Sequence, residues 1–342
     1  MLRSSSRWRR AAARACSRIL APLLALLVAS CARGTPPLRV GLPAWVPTEF
    51  AFVARDLGYF DDQEVELVEY SSPIELSRHL RDGSLDAAAL TLDFAPYWAA
   101  SIPSLDVVFV IDVSNGADGV VAIPEIHDLA GLRGRRIGVE ASPLGAHMLL
   151  RALKAGGLPR RDVETVSLDS EDHVDAFLSH RIDAVVTCEP DRTRLLSSGA
   201  TSLFDSTRTP GQVVHVLIIR SATAAEHQQA LRKLVDGWLA AFTKLKDDRA
   251  TILRRLASGL SLDVGTVERV LAGVRLADLA MNRDLLGGSS PRLASTLKEI
   301  ESVAIDGGLL RADTRRVVRF DDSYLPGVVA RRVGELSGVE AR

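Results

Sequence analysis

Three cysteines in 342 residues, at positions 16, 31 and 188, are too few to staple a fold of this size. The seven histidines are scattered, with neither H-x-x-x-H nor H-E-x-x-H spacing, and no G-x-S-x-G, P-loop or G-x-G-x-x-G occurs. The linear signatures of zinc, acyl-transfer and nucleotide chemistry are therefore missing. No acid lies between Met1 and Ser30, while Arg3, Arg7, Arg9, Arg10, Arg14 and Arg18 do. Without that stretch the formal charge moves from −1 to −7, and a surface of that sign repels nucleic acid and anionic lipid.

A bilayer-length apolar run is absent too, since Ile19 to Ala29 is too short to span comfortably. Behind six arginines it has the order of an export signal, and it closes on Leu27-Val28-Ala29-Ser30-Cys31, which resembles the bacterial lipobox. Residues 1–30 are expected to be removed, Cys31 to carry lipid as the mature N-terminus, and 31–37 to act as a tether. The protein would then be exported and held at the outer face of a membrane through its lipid alone. Export takes away Cys16 and lipidation uses Cys31, so no intramolecular disulfide is expected even in an oxidising compartment.

What is present is ordinary globular material, 47% hydrophobic and 25% charged, long enough for two domains or one bilobed unit. Its organising stretch runs from Val107 to Ala122. The β-branched run Val107 to Val113 stops at Ser114-Asn115-Gly116-Ala117-Asp118-Gly119, and Val120 to Ile123 follows at once. Strand, polar turn, strand is the reading, with two Gly and an Asn able to take positive φ and bring backbone close to a solute.

Before that stretch, Leu38 to Leu42, Val65 to Tyr70 and Leu85 to Thr91 read as strands separated by helices Glu49 to Leu57 and Pro73 to Asp82, the first with Thr48 as N-cap. Beyond Asp118 the syntax restarts: strand Arg136 to Val139, a helix from Ser142 to Ala155, strand Val163 to Leu168, helix Glu171 to Ser179, strand Arg181 to Thr187. The pattern Ser84-Leu85-Asp86-Ala87-Ala88 returns at Arg181-Ile182-Asp183-Ala184-Val185, marking two lobes of like design. Val213 to Arg220 carries the chain back, and helices from about Ala225 to Asp306 follow.

Several segments together resemble one family: Ala54-Arg55-Asp56-Leu57-Gly58-Tyr59-Phe60, Gly83 to Ala88, Asp112 to Asp118, Asp183 to Val186 with Glu189-Pro190, Phe204-Asp205-Ser206 and Pro210-Gly211. They resemble, in order and over nearly all of Leu38 to Pro326, the solute-binding components of ABC importers of the nitrate, sulfonate, taurine and thiamine-precursor class. The resemblance implies an α/β fold class, a two-lobed type II periplasmic-binding-protein fold with two crossing strands. Lobe 1 would hold 38–117 and 214–326, lobe 2 would hold 118–213, and 327–342 would be a tail. The crossings would fall near Gly116 to Val121 and Val213 to Leu217. It implies a monomer that captures a small solute between its lobes, partnered by an ABC permease, with no cofactor, no metal and no catalysis.

Ligand-binding candidates follow where family motifs meet strand ends. They are Trp45, Thr91, Asp93, Asp112, Ser114, Asn115 and Asp118, and in lobe 2 Glu140, Ser142, Leu144, Gly145, His147 and Glu189. Bland readings stay open beside these: Trp45 as a core plug, Ser114 and Ser142 as caps, Glu189-Pro190 as a helix start, His147 as a satisfied helix histidine. The chain departs from the family in having Trp45-Val46-Pro47-Thr48-Glu49 where relatives often show Trp-x-Gly-Tyr-Glu, Cys188 where a Tyr is common, and His215 where an Asp is common. Because the candidate turns offer acids and no Lys or Arg, an amine, zwitterion or N-heterocycle is favoured over a simple oxyanion. Two rivals stay open: an exported ligand sensor using the same lobes, and an enzyme similar to thiamine-pyrimidine synthases, whose Cys-rich motif is missing here.

Overall fold

The computed structural model describes residues 35–313, 316–328 and 337–341. The export segment and Cys31 lie outside the described residues. Among those described, no helix is long and apolar enough to cross a membrane.

Strands β1 (Leu38–Pro43), β2 (Val65–Tyr70) and β3 (Ala87–Thr91) run parallel with β1 between the others, joined by helices α1 (Val46–Asp56) and α2 (Pro73–Asp82). Ser72 Oγ accepts the Glu75 N–H at the start of α2, and Gly83, at φ 90°, ends it. Helix α1 starts earlier than the expected Thr48 cap. Trp45 takes the N-cap position and Pro47 falls in the first turn, where its missing N–H is no loss. Thr48 Oγ1 donates instead toward the carbonyls of Pro43 at 2.8 Å and Trp45 at 2.7 Å, tying the Trp45 loop to the end of β1.

A short α3 (Ala95–Ala99) leads into β4 (Leu105–Ser114), buried at every position. Three residues on, β5 (Asp118–Ala122) opens a second sheet with β6 (Arg136–Val139), β7 (Glu164–Ser167), β8 (Ala184–Cys188) and β9 (Thr201–Asp205). Its order is β7-β6-β8-β5-β9, and its helices are α4 (Pro143–Ala155), α5 (His173–Leu178) and α6 (Asp191–Ser197). The chain then returns as β10 (Val214–Arg220), antiparallel between β3 and β4. Helices α7 (Ser221–Glu226), α8 (Gln228–Asp247), α9 (Arg249–Gly259) and α10 (Val264–Ala272) follow, then β11 (Val274–Leu276), α11 (Leu279–Leu286), α12 (Arg292–Asp306), β12 (Arg316–Phe320) and β13 (Ser337–Ala341). The first sheet is ordered β13-β12-β4-β10-β3-β1-β2, with β11 on the end of β4.

Both sheets are mixed, and apolar side chains pack against helices on both faces of each. On one face of the first, Phe242 meets Phe50 edge-on at 4.9 Å and Trp238 lies 5.5 Å from Phe109. On the other, Trp98 is fully buried with Leu293 and Leu297, its indole N–H donating to Ser77 Oγ at 2.6 Å. Residues 115–117 and 206–213 join the two sheets and are pinned together, because Ser206 Oγ accepts the Gly116 N–H at 2.7 Å and meets Ser114 Oγ at 2.8 Å.

Strand β4 is irregular in a way that places the site. Against β10, Asp112 pairs His215, Val110 pairs Val216 and Val107 pairs Ile218, so Ile111 and Val108 are extra residues. Two bulges slide the register of β4 by two residues, so that Asp112 and not Val110 lies opposite His215, and Asp112 there also reaches Trp45. Asn282 of α11 takes up the disturbed backbone: its Oδ1 accepts the Val110 N–H at 2.7 Å and its Nδ2 donates to the Val110 carbonyl at 2.9 Å.

Candidate functional site

The carboxyl ends of β1, β2, β3, β6 and β8 converge between the sheets on a cleft of about 180 Å³. From the first sheet come Trp45, Thr91 and Phe94 together with His215 at the start of β10; the second supplies Asp118, Glu140, Ser142, Leu144 and Gly145. A cavity of about 150 Å³ holds one benzene ring, so the size suits a solute built around a single ring. Among the described residues, no Lys or Arg lines it.

Seven of the expected ligand-binding residues line this cleft: Trp45, Thr91, Asp118, Glu140, Ser142, Leu144 and Gly145. Ser142 caps α4, its Oγ accepting the Gly145 N–H at 3.1 Å, so the cap and the cleft wall are one feature. Gly145 admits no side chain, because a Cβ there would sit 2.6 Å from the Glu140 carbonyl.

The other six stand elsewhere. Asp112 is fully buried behind the wall, accepting the Trp45 indole N–H at 3.2 Å and lying 3.0 Å from His215 Nδ1. His215 in turn stacks on Trp45, ring centroids 5.4 Å apart. Ser114 is part of the link to Ser206. Asn115 is exposed and its N–H donates to the Gly273 carbonyl, because the turn it occupies faces α10 and not the solute. Asp93 accepts from Thr91 Oγ1 and borders, with His147, a void of about 10 Å³ on the far side of α4. Glu189 turns back to its own helix, accepting the Thr193 N–H at 3.2 Å and the Thr193 hydroxyl at 2.9 Å.

Sequence reasoning missed Ser170, His173, Thr187, Cys188 and Asp191 in the lining and treated His215 only as part of a crossing. A usable signal existed for two of them: extending the expected strand 181–187 by one residue puts Thr187 and Cys188 at its carboxyl end, which is where solutes bind. Nothing local marks His173, whose position depends on α5 packing under β8.

Burial dominates the electrostatics. It pushes the Asp118 carboxyl up, partly offset by hydrogen bonding from Ser114 and the charge of His215, and Asp118 Oδ2 is buried with no hydrogen-bond partner. It pushes Glu140 and Asp191 up as well. His173 is driven down to about 4, leaving a neutral ring whose Nδ1 lies 3.3 Å from Thr187 Oγ1 and whose buried Nε2 has no partner. At His215 burial pulls down, but the charge and hydrogen bond of Asp112, then Asp118 and Asp93, outweigh it and the pKa rises. Burial raises the Cys188 thiol well above its ordinary range, so it stays protonated. Among the described residues, no group of three or more His, Cys, Asp or Glu is placed to hold a metal ion.

A second, wider crevice of about 460 Å³ adjoins the first and shares Phe94, Glu140 and Ser142 with it. Arg81 from the end of α2 and Arg160 from the turn before β7 line it from opposite lobes.

Comparison with known proteins places these features. The model of the NMT1-like family matches residues 32–258. A binding protein of Brucella abortus is 24% identical over 212 residues, 58% of this chain and 64% of that one, so the chain spans somewhat under two thirds of the length of such relatives. Among solved structures, the alkanesulfonate-binding protein SsuA from Xanthomonas axonopodis pv. citri bound to MOPS superposes with a TM-score of 0.65 at 21% identity, covering 81% of this chain and 96% of that one. The periplasmic nitrate-binding protein NrtA from Synechocystis does so at 0.64 and 13% identity, over 82% and 83%. A desulfurization enzyme is a further neighbour, at 0.59 and 17% identity over 81% and 93%. At these identities the likenesses to solved structures show the fold: the two-sheet α/β architecture of periplasmic binding proteins.

Proposed function

The chain belongs to the NMT1-like family, and from that premise we propose that it is an extracytoplasmic solute-binding protein, closing its two lobes on a small polar solute and handing it to an ABC importer permease. The relatives named for sulfonate and nitrate binding support solute capture as the activity. Lipid attachment at Cys31, outside the described residues, would keep the protein beside its permease at the membrane.

The observation that carries the ligand class is Asp118 Oδ2, a buried acceptor without a partner among the described residues, in a cleft edged by Glu140 and Asp191 and lined by no described Lys or Arg. A buried acceptor left unsatisfied costs about 1–3 kcal/mol, which a ligand N–H recovers. A simple oxyanion 4 Å from an ionised carboxylate instead meets about 4 kcal/mol of repulsion at an effective dielectric of 20. The solute is therefore an amine, a zwitterion or a donor-rich N-heterocycle, with the Ser142 helix start available to one acceptor atom.

A fold shared with a desulfurization enzyme leaves binding and catalysis both open. The side chains favour binding: the thiol is held protonated, His215 is tied to Asp112 and Trp45, and the hydroxyl that bonds Asp118, Ser114, is itself engaged with Ser206.

The test is a thermal-shift screen of the purified protein against amines, amidines, aminopyrimidines, sulfonates and nitrate, followed by Trp fluorescence. A ligand at a hundred times its Kd stabilises by about 2.7 kcal/mol. Trp45 should report closure, and Trp45→Phe should lose most of the fluorescence change because Trp238 is fully buried elsewhere and Trp98, which borders only the adjoining crevice, is almost fully buried. Stabilisation by sulfonates or nitrate alone would overturn the ligand class. For the anchor, Cys31→Ser should leave the membrane fraction; wild-type protein already free in solution would remove that part of the proposal.

A further inference from the structure

The two adjoining chambers differ in sign. Among the described residues, the inner cleft carries Asp118 and Asp191 and no Lys or Arg, whereas the outer crevice carries Arg81 and Arg160 and, beyond the shared Glu140, no other acid. Glu140, Ser142 and Phe94 stand at the junction and border both, so one solute can extend from one chamber into the other. The two guanidinium groups are largely uncommitted. Arg81 forms no ion pair with any described residue, and Arg160 donates only a long bond, 3.4 Å, to Thr165 Oγ1. One belongs to each lobe, Arg81 to α2 of the first and Arg160 to the second, so an anion held by both would link the lobes.

We infer that the solute is an elongated zwitterion, its donor-bearing ring or amine held at Asp118 in the inner cleft and its carboxylate, sulfonate or phosphate end held between Arg81 and Arg160 in the outer crevice. This rests on the donor-preferring reading of the inner cleft. It adds a second recognition element, and it explains how a site with an acidic interior accepts a molecule carrying an anionic group: the anion stays outside, past Glu140, where guanidinium groups bind oxyanions with charge-assisted hydrogen bonds. The crevice is open to solvent, so the gain is moderate and screened by salt.

Matched probe pairs test it by calorimetry on the purified protein: benzamidine with 4-amidinobenzoate, and benzylamine with 4-(aminomethyl)benzenesulfonate. In the pair that binds, the zwitterion should bind about tenfold more tightly than its cationic partner at low salt, the gap narrowing to about twofold in 0.5 M salt. Arg81→Gln combined with Arg160→Gln should abolish the gap and leave the simpler partner's Kd within about twofold. Both side chains are exposed, so the variant's melting temperature should match wild type. Equal affinities within a pair, or a gap that survives the double substitution, overturns the inference and leaves the inner-cleft reading standing. Tight binding of benzoate or benzenesulfonate, with the amidines and amines silent, overturns both.

Discussion

Arg136 grips Asp183 through its backbone N–H, its Nε and its Nη2, at 2.8, 3.2 and 2.9 Å, and its Nη2 donates also to the His180 carbonyl at 3.0 Å. Arg39 and Asp86 repeat the arrangement in the other lobe, with the Gly83 carbonyl in the place of His180. Forty-seven residues separate the charged partners in both cases. In each lobe the clasp joins a strand, β1 or β6, to the turn before the Asp-Ala strand that lies beside it, β3 or β8, so the echo seen in the sequence has a structural cause.

The comparison exposes a strained position. Gly83 sits at φ 90°, where glycine is at ease, but its counterpart His180 sits at φ 58° with a side chain. His180→Gly should therefore stabilise the protein, or be neutral, by up to about 1 kcal/mol in urea denaturation, the relief of strain being set against a more flexible unfolded chain. Asp183→Asn should cost about 1–2 kcal/mol by the same measurement, since it weakens charged hydrogen bonds.

Asp118 should separate binding from stability. Asp118→Asn removes the buried charge without changing shape, so the free protein should melt no lower than wild type, while affinity for a cationic ligand falls about tenfold or more. Because burial raises the Asp118 pKa, a bound cation draws it back to the ionised form and releases a proton. Affinity should rise with pH through that pKa, and calorimetry in buffers of different ionisation enthalpy should detect the proton. An unchanged Kd in the variant would place the ligand away from Asp118.

A pH signature comes from Glu49, which does not line the cleft. Its carboxyl, lodged against Gly259 of α9, is pushed up to about 7 by burial, with Glu69 and Asp56 adding to the effect. A raised carboxyl contributes stability that is full below about pH 4.5 and is lost as pH climbs through 7. Asp93, also raised to about 7, acts in the same sense, and His147 and His173, both lowered to about 4, act in the opposite one. The difference between wild type and Glu49→Gln isolates the one group: the variant should gain about 1 kcal/mol relative to wild type between pH 5 and pH 8, after allowance for solvent screening.

Gly145 is where a single methyl should do most harm at the cleft. Gly145→Ala forces a Cβ against the Glu140 carbonyl at the start of α4, with an expected cost of about 1–3 kcal/mol and a shifted cleft wall. Thermal denaturation and ligand titration should fall together. A variant of wild-type stability that still loses ligand would mean the backbone had adjusted and only the cleft had changed.

Much of this protein was written locally. The cap at Ser142, the stop at Gly83, the Asp-Ala strands and the restart after Asp118 depend on neighbours a few residues away, and side-chain periodicity, capping chemistry and glycine's freedom act over that range. Trp45, Thr91, Glu140 and Gly145 could be read as candidates for the same reason, because strand ends in an α/β sheet face the cleft. Which acids face a solute was decided only in three dimensions. Asp112 and Asp118 stand six residues apart in one stretch, yet two bulges in β4 turn Asp112 into a buried partner for Trp45 and His215, while Asp118 opens the other sheet and keeps a bare oxygen in the cleft. His215 arrives from a strand about a hundred residues downstream, and His173 from the packing of a short helix. A bulge exists only against a partner strand, and a carboxylate's pKa follows from what surrounds it, so neither property belongs to any local run of residues.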